Sequence, residues 1–295
     1  MATLRDIRRR IKSIKSTSQI TRAMQMVAAA KMKKAQDQAL AGRDYAALLN
    51  QVLRNLKAKV NEEAHPLLQK RAGTRELMLV ISTDKGLLGA LNTNLGKKIR
   101  LESSDSTEFA TVGRKLRTSL AKSGRTLVAD FIVKDPVPFG EARPIAKFLT
   151  EKFLSGQYDR ITVAFTNFVT TLTQEPWISQ LLPIEPGKLA EKQDYEGVGH
   201  DEKPESAAPA ADYLFEPSPE GVLDTLLPLY VNFQIYQMLV ESRASEHSAR
   251  MVAMKSATDN AKEIVKDLTL EYNKLRQAAI TAELLEITTA QKAME

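Results

Sequence analysis

Apolar residues recur at helical spacing near both ends of the chain but fall in short runs in its middle, and this contrast divides the sequence. Ile7, Ile11 and Ile14 repeat at the four–three spacing of a coiled-coil seam. No Gly or Pro interrupts residues 2–41, and the pattern continues through Gly42 to about Val60. The stretch ITRAMQMVAAAKMKKAQ, from Ile20 to Gln36, is rich in strong helix formers, yet its apolar residues spread round most of the helix. The seam meets Ser18 and Thr21, which predicts a slip to Ile20, Met24 and Val27. Tyr45, Leu49, Val52 and Leu56 restore it, and Pro66 and Gly73 end the element.

The far end mirrors the start. After Pro228 neither Gly nor Pro occurs through Glu295, room for a helix on the order of 100 Å long at 1.5 Å rise per residue. Leu229, Phe233, Tyr236 and Val240 form an early stripe. Ile264, Leu268, Tyr272 and Leu275 form a later one, followed by Ile280, Leu284 and Ile287. Residues 242–261 between them are dominated by Ser, Ala, Met and charge. Helices this long need a partner over their length, and the economical partner for each is the other, as an antiparallel coiled coil.

Between the helices, residues 76–82 form a short apolar run that reads as a buried strand, and residues 109–112, 126–133 and 160–169 are further strand candidates. Helical stretches lie near residues 90–101, 114–123 and 142–153. Such alternation predicts an α/β layer domain with a mainly parallel sheet. The expected organisation is a coiled-coil helix over residues 1–62, a Rossmann-like α/β domain over 74–185, a flexible linker over 186–219 and a second coiled-coil helix over 220–295.

The 43% hydrophobic and 26% charged composition is that of a globular chain, and no apolar run approaches the ~18–20 residues of a membrane span. Without cysteine there is no disulfide, thiolate metal site or cysteine nucleophile, which fits a reducing compartment. His65, His200 and His247 lie far apart in unlike surroundings, and each reads as a surface or loop histidine.

The net charge of +6 is concentrated at the start, where Arg5 to Lys34 includes ten cations and the single acid Asp6. A transit peptide would be Ser-rich and cleaved, whereas this helix runs on past a usual cleavage point. A nucleic-acid surface would interleave aromatic residues, and none occurs before Tyr45. A face for an acidic protein partner uses the same long-range attraction, and a merely solvated face stands beside these readings.

Candidate chemistry is sparse. The segment STDKGLLGALN, residues 82–92, joins a strand to a helix where phosphate loops sit, but Lys85 precedes both glycines and neither nucleotide-binding glycine spacing is present. A tight turn fits better, with Asp84 capping the helix and Gly86 or Gly89 taking special dihedrals. Glu283 and Glu286 share a helical face, where such pairs are usually solvated. Glu246-His247 lacks a second metal ligand four residues on. No catalytic constellation, cofactor or metal site is expected.

Four segments then carry a resemblance. IKSIKSTSQITRAMQMVAAAK (residues 11–31) closely resembles the N-terminal helix of the γ subunit of F-type, proton-translocating ATP synthases. STDKGLLGALN (82–92) is similar to that family's first strand and turn. SEHSARMVAMKSATDN (245–260) and YNKLRQAAITAELLEI (272–287) resemble its long C-terminal helix and C-terminal signature. The segments occur in the family's order, and the similarity covers nearly the whole chain.

The resemblance implies a non-catalytic rotor shaft that couples proton-driven ring rotation to conformational cycling of catalytic β subunits. The implied partners are the α and β subunits, the ε subunit and the membrane c-ring, with no nucleic acid and no span of its own. Arg276 and Gln277 fall at the family's β contact, and Arg22 and Met24 where the shaft meets an acidic lever of β. Arg250 falls in the helical motif and is a weaker candidate. For Met24, seam packing stands equally beside partner contact. The family motif begins a few residues after Met1, so the implied location is the cytoplasmic face of a bacterial plasma membrane. Thr288-Thr289-Ala290 stands where the family often has Gly-Ala, Leu88 replaces a frequent cysteine, and the segment 186–219 is longer than usual. A coiled-coil adaptor binding nucleic acid through the basic helix, and a small enzyme built on the middle domain, are the alternatives.

Overall fold

The computed structural model describes residues 3–42, 45, 48–49, 52, 65–184 and 218–294. They comprise helix α1 (Leu4–Ala41), strand β1 (Glu76–Ile81), helix α2 (Leu91–Glu102), strand β2 (Glu108–Val112), helix α3 (Arg114–Lys122) and strand β3 (Leu127–Phe131). A 3-10 turn (Phe139–Glu141), helix α4 (Ala142–Leu154), strands β4 (Arg160–Phe168) and β5 (Gln174–Leu182) and helix α5 (Pro219–Met294) follow. Most of the expected 186–219 linker, His200 and Leu56 lie outside the described residues. Contacts divide the chain into one unit of residues 1–28 with 251–295 and another of residues 29–250.

In the larger unit the strands order as β3-β2-β1-β4-β5. The first four run parallel, as in a doubly wound sheet. Alternation along β1 sends Met78 and Val80 to a face covered by Leu95 and Ile99 of α2 and Leu116 and Leu120 of α3. Leu77, Leu79 and Ile81 face the other way, against Ile145, Leu149 and Phe153 of α4 and Leu227 to Val240 of α5. All four expected strands and three expected middle helices are present. The addition is β5, antiparallel to β4. Its Pro176 sits opposite Thr166, which an edge strand tolerates because one side of its backbone needs no ladder partner.

Helix α5 starts at Pro219, earlier than the Gly- and Pro-free stretch suggests, and carries Pro228 within it. Across residues 230–248 it is buried all round apart from half-buried Tyr236. In this unit Ala35 of α1 clusters with Ala244 of α5. One heptad on along α1, Gly42 faces Gln237, one heptad back along α5, so the two helices run antiparallel.

The smaller unit pairs the remaining halves of α1 and α5. Its inward positions on α1 are Leu4, Ile7, Ile11, Ile14, Ser18, Thr21, Gln25 and Ala28, an unbroken four–three repeat. The predicted slip does not occur. Ile20, Met26 and Val27 are 57%, 61% and 58% exposed. Thr21 stays in the seam because its hydroxyl meets that of Thr258 at 2.7 Å, which removes the cost of burying an unpaired hydroxyl. On α5 the seam is Met251, Met254, Thr258, Ala261, Val265, Leu268 and Tyr272, with Val265 in place of the expected Ile264. Counting back from Thr21 to Leu4 and equally far on from Thr258 reaches Leu275, where α1 has no more residues to offer. From Lys274 to Met294 every residue but Ala279 is exposed.

The N-terminus of α1 is capped by its own residues. The Thr3 N–H donates to Asp6 Oδ2 at 3.3 Å, and the Asp6 N–H donates back to Thr3 Oγ1 at 3.3 Å. This is the reciprocal arrangement of a capping box, with Asp in the acidic position.

Candidate functional site: the helix joint at the carboxyl edge of the sheet

Arg243, Glu246, His247 and Arg250 are spaced three and four apart, so they share one face of α5. Glu246 is the hub. Its Oε2 accepts from Arg243 Nη1 at 2.6 Å, and its Oε1 accepts from Arg250 Nη2 at 2.8 Å. Arg243 Nη2 also donates to the Val133 carbonyl just past β3 at 3.1 Å, and lies 3.7 Å from Asp84 Oδ2 just past β1. His247 Nε2 lies 3.3 Å from Asp135 Oδ2. Lys31 of α1 reaches the same carboxylate oxygen at 2.8 Å.

On the other side, Ser245 donates to the Thr166 carbonyl of β4 at 3.0 Å, and Ser248 to the Thr171 carbonyl at 2.6 Å. Residues 243–250 thus lie across the carboxyl ends of β1, β3 and β4, with Arg243 serving the first two and Ser245 the third. In doubly wound sheets this edge holds ligands in the crevice where the strand order reverses, here between β1 and β4. In this chain, α5 itself occupies that edge.

Burying paired charges contributes little net stability against apolar packing, but removing one partner is costly. Turning α5 on the sheet would separate these pairs and leave buried charges without partners. Asp135 joins three elements: its own loop, α5 through His247, and α1 through Lys31. The His247 hydrogen bond, followed by that of Lys31, holds its carboxyl well below the usual carboxylate range against the opposing effect of burial.

The turn after β1 corrects one expectation. Asp84 does not cap α2, whose first turn has no side-chain cap. It accepts instead from the Arg114 N–H that opens α3, at 3.3 Å. Gly89 has φ of +59°, as expected for one of the two glycines, but Leu87 rather than Gly86 shares the left-handed region, at +64°. The Thr83 hydroxyl donates to the Lys85 carbonyl, and Asn92 Nδ2 donates to Thr83 Oγ1 at 2.8 Å, tying strand to helix. Gly113 has φ of +88°, and a Cβ there would stand 2.3 Å from the Ser82 carbonyl oxygen.

His247 also departs from the surface reading, since its side chain is only 3% exposed. The only hint in the sequence was a run of Ser, Glu, Arg and His within a helix that stays uninterrupted. His65 lies in a loop, as expected, but is mostly buried there, accepting the Leu67 N–H at 3.1 Å and lying 3.4 Å from Asp224. Among the described residues no group of His, Asp and Glu is placed to hold a metal ion. No described helix is long and apolar enough to cross a membrane.

The sequence-predicted partner residues are not gathered in one place. Arg250 belongs to the joint, with its side chain 12% exposed and engaged by Glu246. Arg22 is exposed one residue past the Thr21–Thr258 contact, and Met24 is half-buried beside the seam. Arg276 and Gln277 are exposed in the unpaired end of α5. Arg276 lies about 27 Å along the helix from Thr258 at 1.5 Å per residue.

A model of the ATP synthase family matches residues 3–294. The chain is 50% identical, over the full length of both, to the ATP synthase gamma chain of Akkermansia muciniphila. Among solved structures it resembles the central stalk and c-ring structure of the Tetrahymena thermophila mitochondrial ATP synthase, at 26% identity and a TM-score of 0.58, covering 81% of this chain and 99% of that one. It shares its fold with a chain of the Euglena gracilis mitochondrial ATP synthase rotor in rotational state 1, at 20% identity and a TM-score of 0.65, covering 94% of this chain and 98% of that one. The chain belongs to the ATP synthase gamma chain family.

Proposed function

We propose that this chain is the central rotor shaft of an F-type ATP synthase. In this reading it carries ring rotation to the catalytic β subunits and performs no catalysis itself. The observation that carries the reading is full-length identity to a gamma chain, and the exposed end of α5 supports it. Ile280, Leu284, Leu285 and Ile287 lie on a helical segment past the reach of α1, 49–62% exposed. Apolar side chains on several sides of a lone helix call for a sleeve of protein, as the ring of α and β subunits would supply.

The mechanism follows from the joint and the seam. A shaft transmits torque only if its helices do not turn independently of the domain that is driven. The contacts of Arg243, His247, Ser245 and Ser248 with three strand ends resist such turning. Lys31 ties α1 to the same edge through Asp135. An asymmetric shaft then makes different contacts with each β subunit in turn, and a ligand state changes only as far as those contacts differ.

The ε subunit and the c-ring are the expected partners of the driven end. The site of work is the cytoplasmic face of the plasma membrane, with this chain held there by its partners. Affinity purification of the native complex tests the reading: the chain should come with nucleotide-binding subunits and a membrane ring. Recovery without an ATPase, together with duplex DNA binding that weakens steeply with salt, would favour the nucleic-acid adaptor instead.

A further inference from the structure

His247 sits between a cation and an anion. Nδ1 lies 3.4 Å from Arg250 Nη1, and Nε2 lies 3.3 and 3.4 Å from the two oxygens of Asp135. A guanidinium has only donors, so Nδ1 must accept and the ring proton resides on Nε2, donated to Asp135. An imidazole with one ring proton fits both neighbours in this geometry. A second proton would place an N–H of one cation against an N–H of another.

The remaining charged groups around the ring are accounted for. Glu246, one residue before it on α5, holds Arg250 and Arg243. Asp135 from the β3–α4 connection also takes Lys31 from α1. Asp84, after β1, faces Arg243 and Arg114. A proton added to His247 strengthens its pairing with Asp135 and weakens only its contact with Arg250, so Arg250 is the group that yields. It is also the least enclosed of the three Glu246-cluster side chains, at 12% exposure against 9% for Arg243 and 6% for Glu246.

We propose that His247 is a proton-operated latch on Arg250: neutral, it lets the guanidinium lie inward on Glu246, and protonated, it turns the guanidinium out towards an acidic protein surface. The outward partner rests on the rotor reading, but the latch itself is a property of the isolated chain.

The test uses the full-length chain alone, so that failure of the latch and failure of the rotor reading are separate results. Nitrogen-15 NMR of the imidazole should show proton-bearing Nε2 and bare Nδ1 at about pH 8. As the sample is acidified to about pH 5, the Arg250 side-chain N–H signal should lose exchange protection in step with the appearance of a proton on His247 Nδ1. A proton on Nδ1 at the higher pH, or Arg250 protection that does not follow His247, overturns the proposal. In a second arm at fixed pH, mass mapping should find Arg250 modified by phenylglyoxal several-fold faster in His247→Lys than in wild type, with His247→Gln near wild type. Equal rates in wild type and a folded His247→Lys also overturn it. Should His247→Lys not fold, the wild-type titration decides alone.

Discussion

Thr21 and Thr258 face each other across the helix pair at 2.7 Å, a buried hydroxyl pair set within the seam. Ile7, Ile11 and Ile14 lie on one side of Thr21 along α1, and Ala28 on the other. Each hydroxyl has a second contact within its own helix, Thr21 to the Ser18 carbonyl at 3.1 Å and Thr258 to the Met254 carbonyl at 2.7 Å. Replacing one threonine by valine leaves the other hydroxyl buried with that contact alone. Thr21→Val should cost about 1 kcal/mol, the usual net worth of a buried hydrogen bond. The double valine variant should recover much of the loss, because no hydroxyl remains to satisfy. Urea unfolding of the two single variants and the double variant measures this, and simple additivity of the single losses would contradict it.

Glu246 holds two guanidinium groups, and neither has another carboxylate within 3 Å among the described residues. Glu246→Ala would leave both in the interior. Removing one member of such a group costs about 3–5 kcal/mol, so the midpoint of thermal unfolding should fall steeply. Glu246→Gln retains acceptors without charge and should lose less. Equal melting of Glu246→Ala and wild type would show that water already satisfies the cluster.

Much of the fold was legible in the sequence, for reasons that also mark where reading failed. Residues 76–82 announced a buried strand because both of its faces are covered, giving a continuous apolar run. Strand β5 carries Pro176, polar side chains and half-exposed Trp177, and an edge strand has no such run to display. The slip at Ser18 was expected because stripe counting credits only apolar residues, whereas the fold seats Thr21 through a partner more than two hundred positions away. Ile20 and Val27 looked like seam residues because they are apolar, yet they point outward. The joint escaped notice for the same physical reason. The partners of Arg243 and His247 at Val133 and Asp135 are set by the sheet, and no local spacing encodes them.

Asp135 sets a pH dependence whose sign is fixed by its pairing. Its folded carboxyl is more acidic than the unfolded one, chiefly through His247 and then Lys31. The carboxylate's contacts with His247 and Lys31 therefore contribute fully above about pH 4, the ordinary carboxylate value, and are lost as pH falls below it. Because the carboxyl is partly open to solvent, salt should weaken the effect. Asp135→Asn removes the titrating group, so its stability deficit against wild type should shrink between neutral and acidic pH. Denaturant midpoints measured across that range check it, and a deficit constant with pH would refute it.

Gly113 and Gly89 both take positive φ, but only one is crowded. A Cβ on Gly113 would meet the Ser82 carbonyl, whereas one on Gly89 would meet nothing within 4 Å. Backbone strain alone costs about 1–3 kcal/mol. Gly113→Ala adds a clash between the two strand ends that carry Ser82 and Val112 and should lose more than Gly89→Ala does. Melting curves of the two alanine variants give the comparison, and equal losses would show that the strand ends can part.

Arg276 tests the shaft at its unpaired end. It is exposed, has no ion pair among the described residues, and stands past the last residue of α1 that could cover it. A planar guanidinium there can hold a carboxylate of a surrounding subunit through two parallel bonds. If the rotor reading is right, Arg276→Ala should leave the melting of the isolated chain within about 0.5 kcal/mol of wild type, as an exposed substitution does. In the reconstituted complex it should lower coupled ATPase turnover, with a loss of contact energy of about 1–3 kcal/mol typical of an interface arginine. Arg276→Lys keeps the charge but not the fork, so it should restore only part of the rate. Full restoration by lysine would mean that charge alone matters at this position. Turnover unchanged in the alanine variant would remove Arg276 from the partner contact while leaving the joint at Glu246 untouched, because the two sites share no residue.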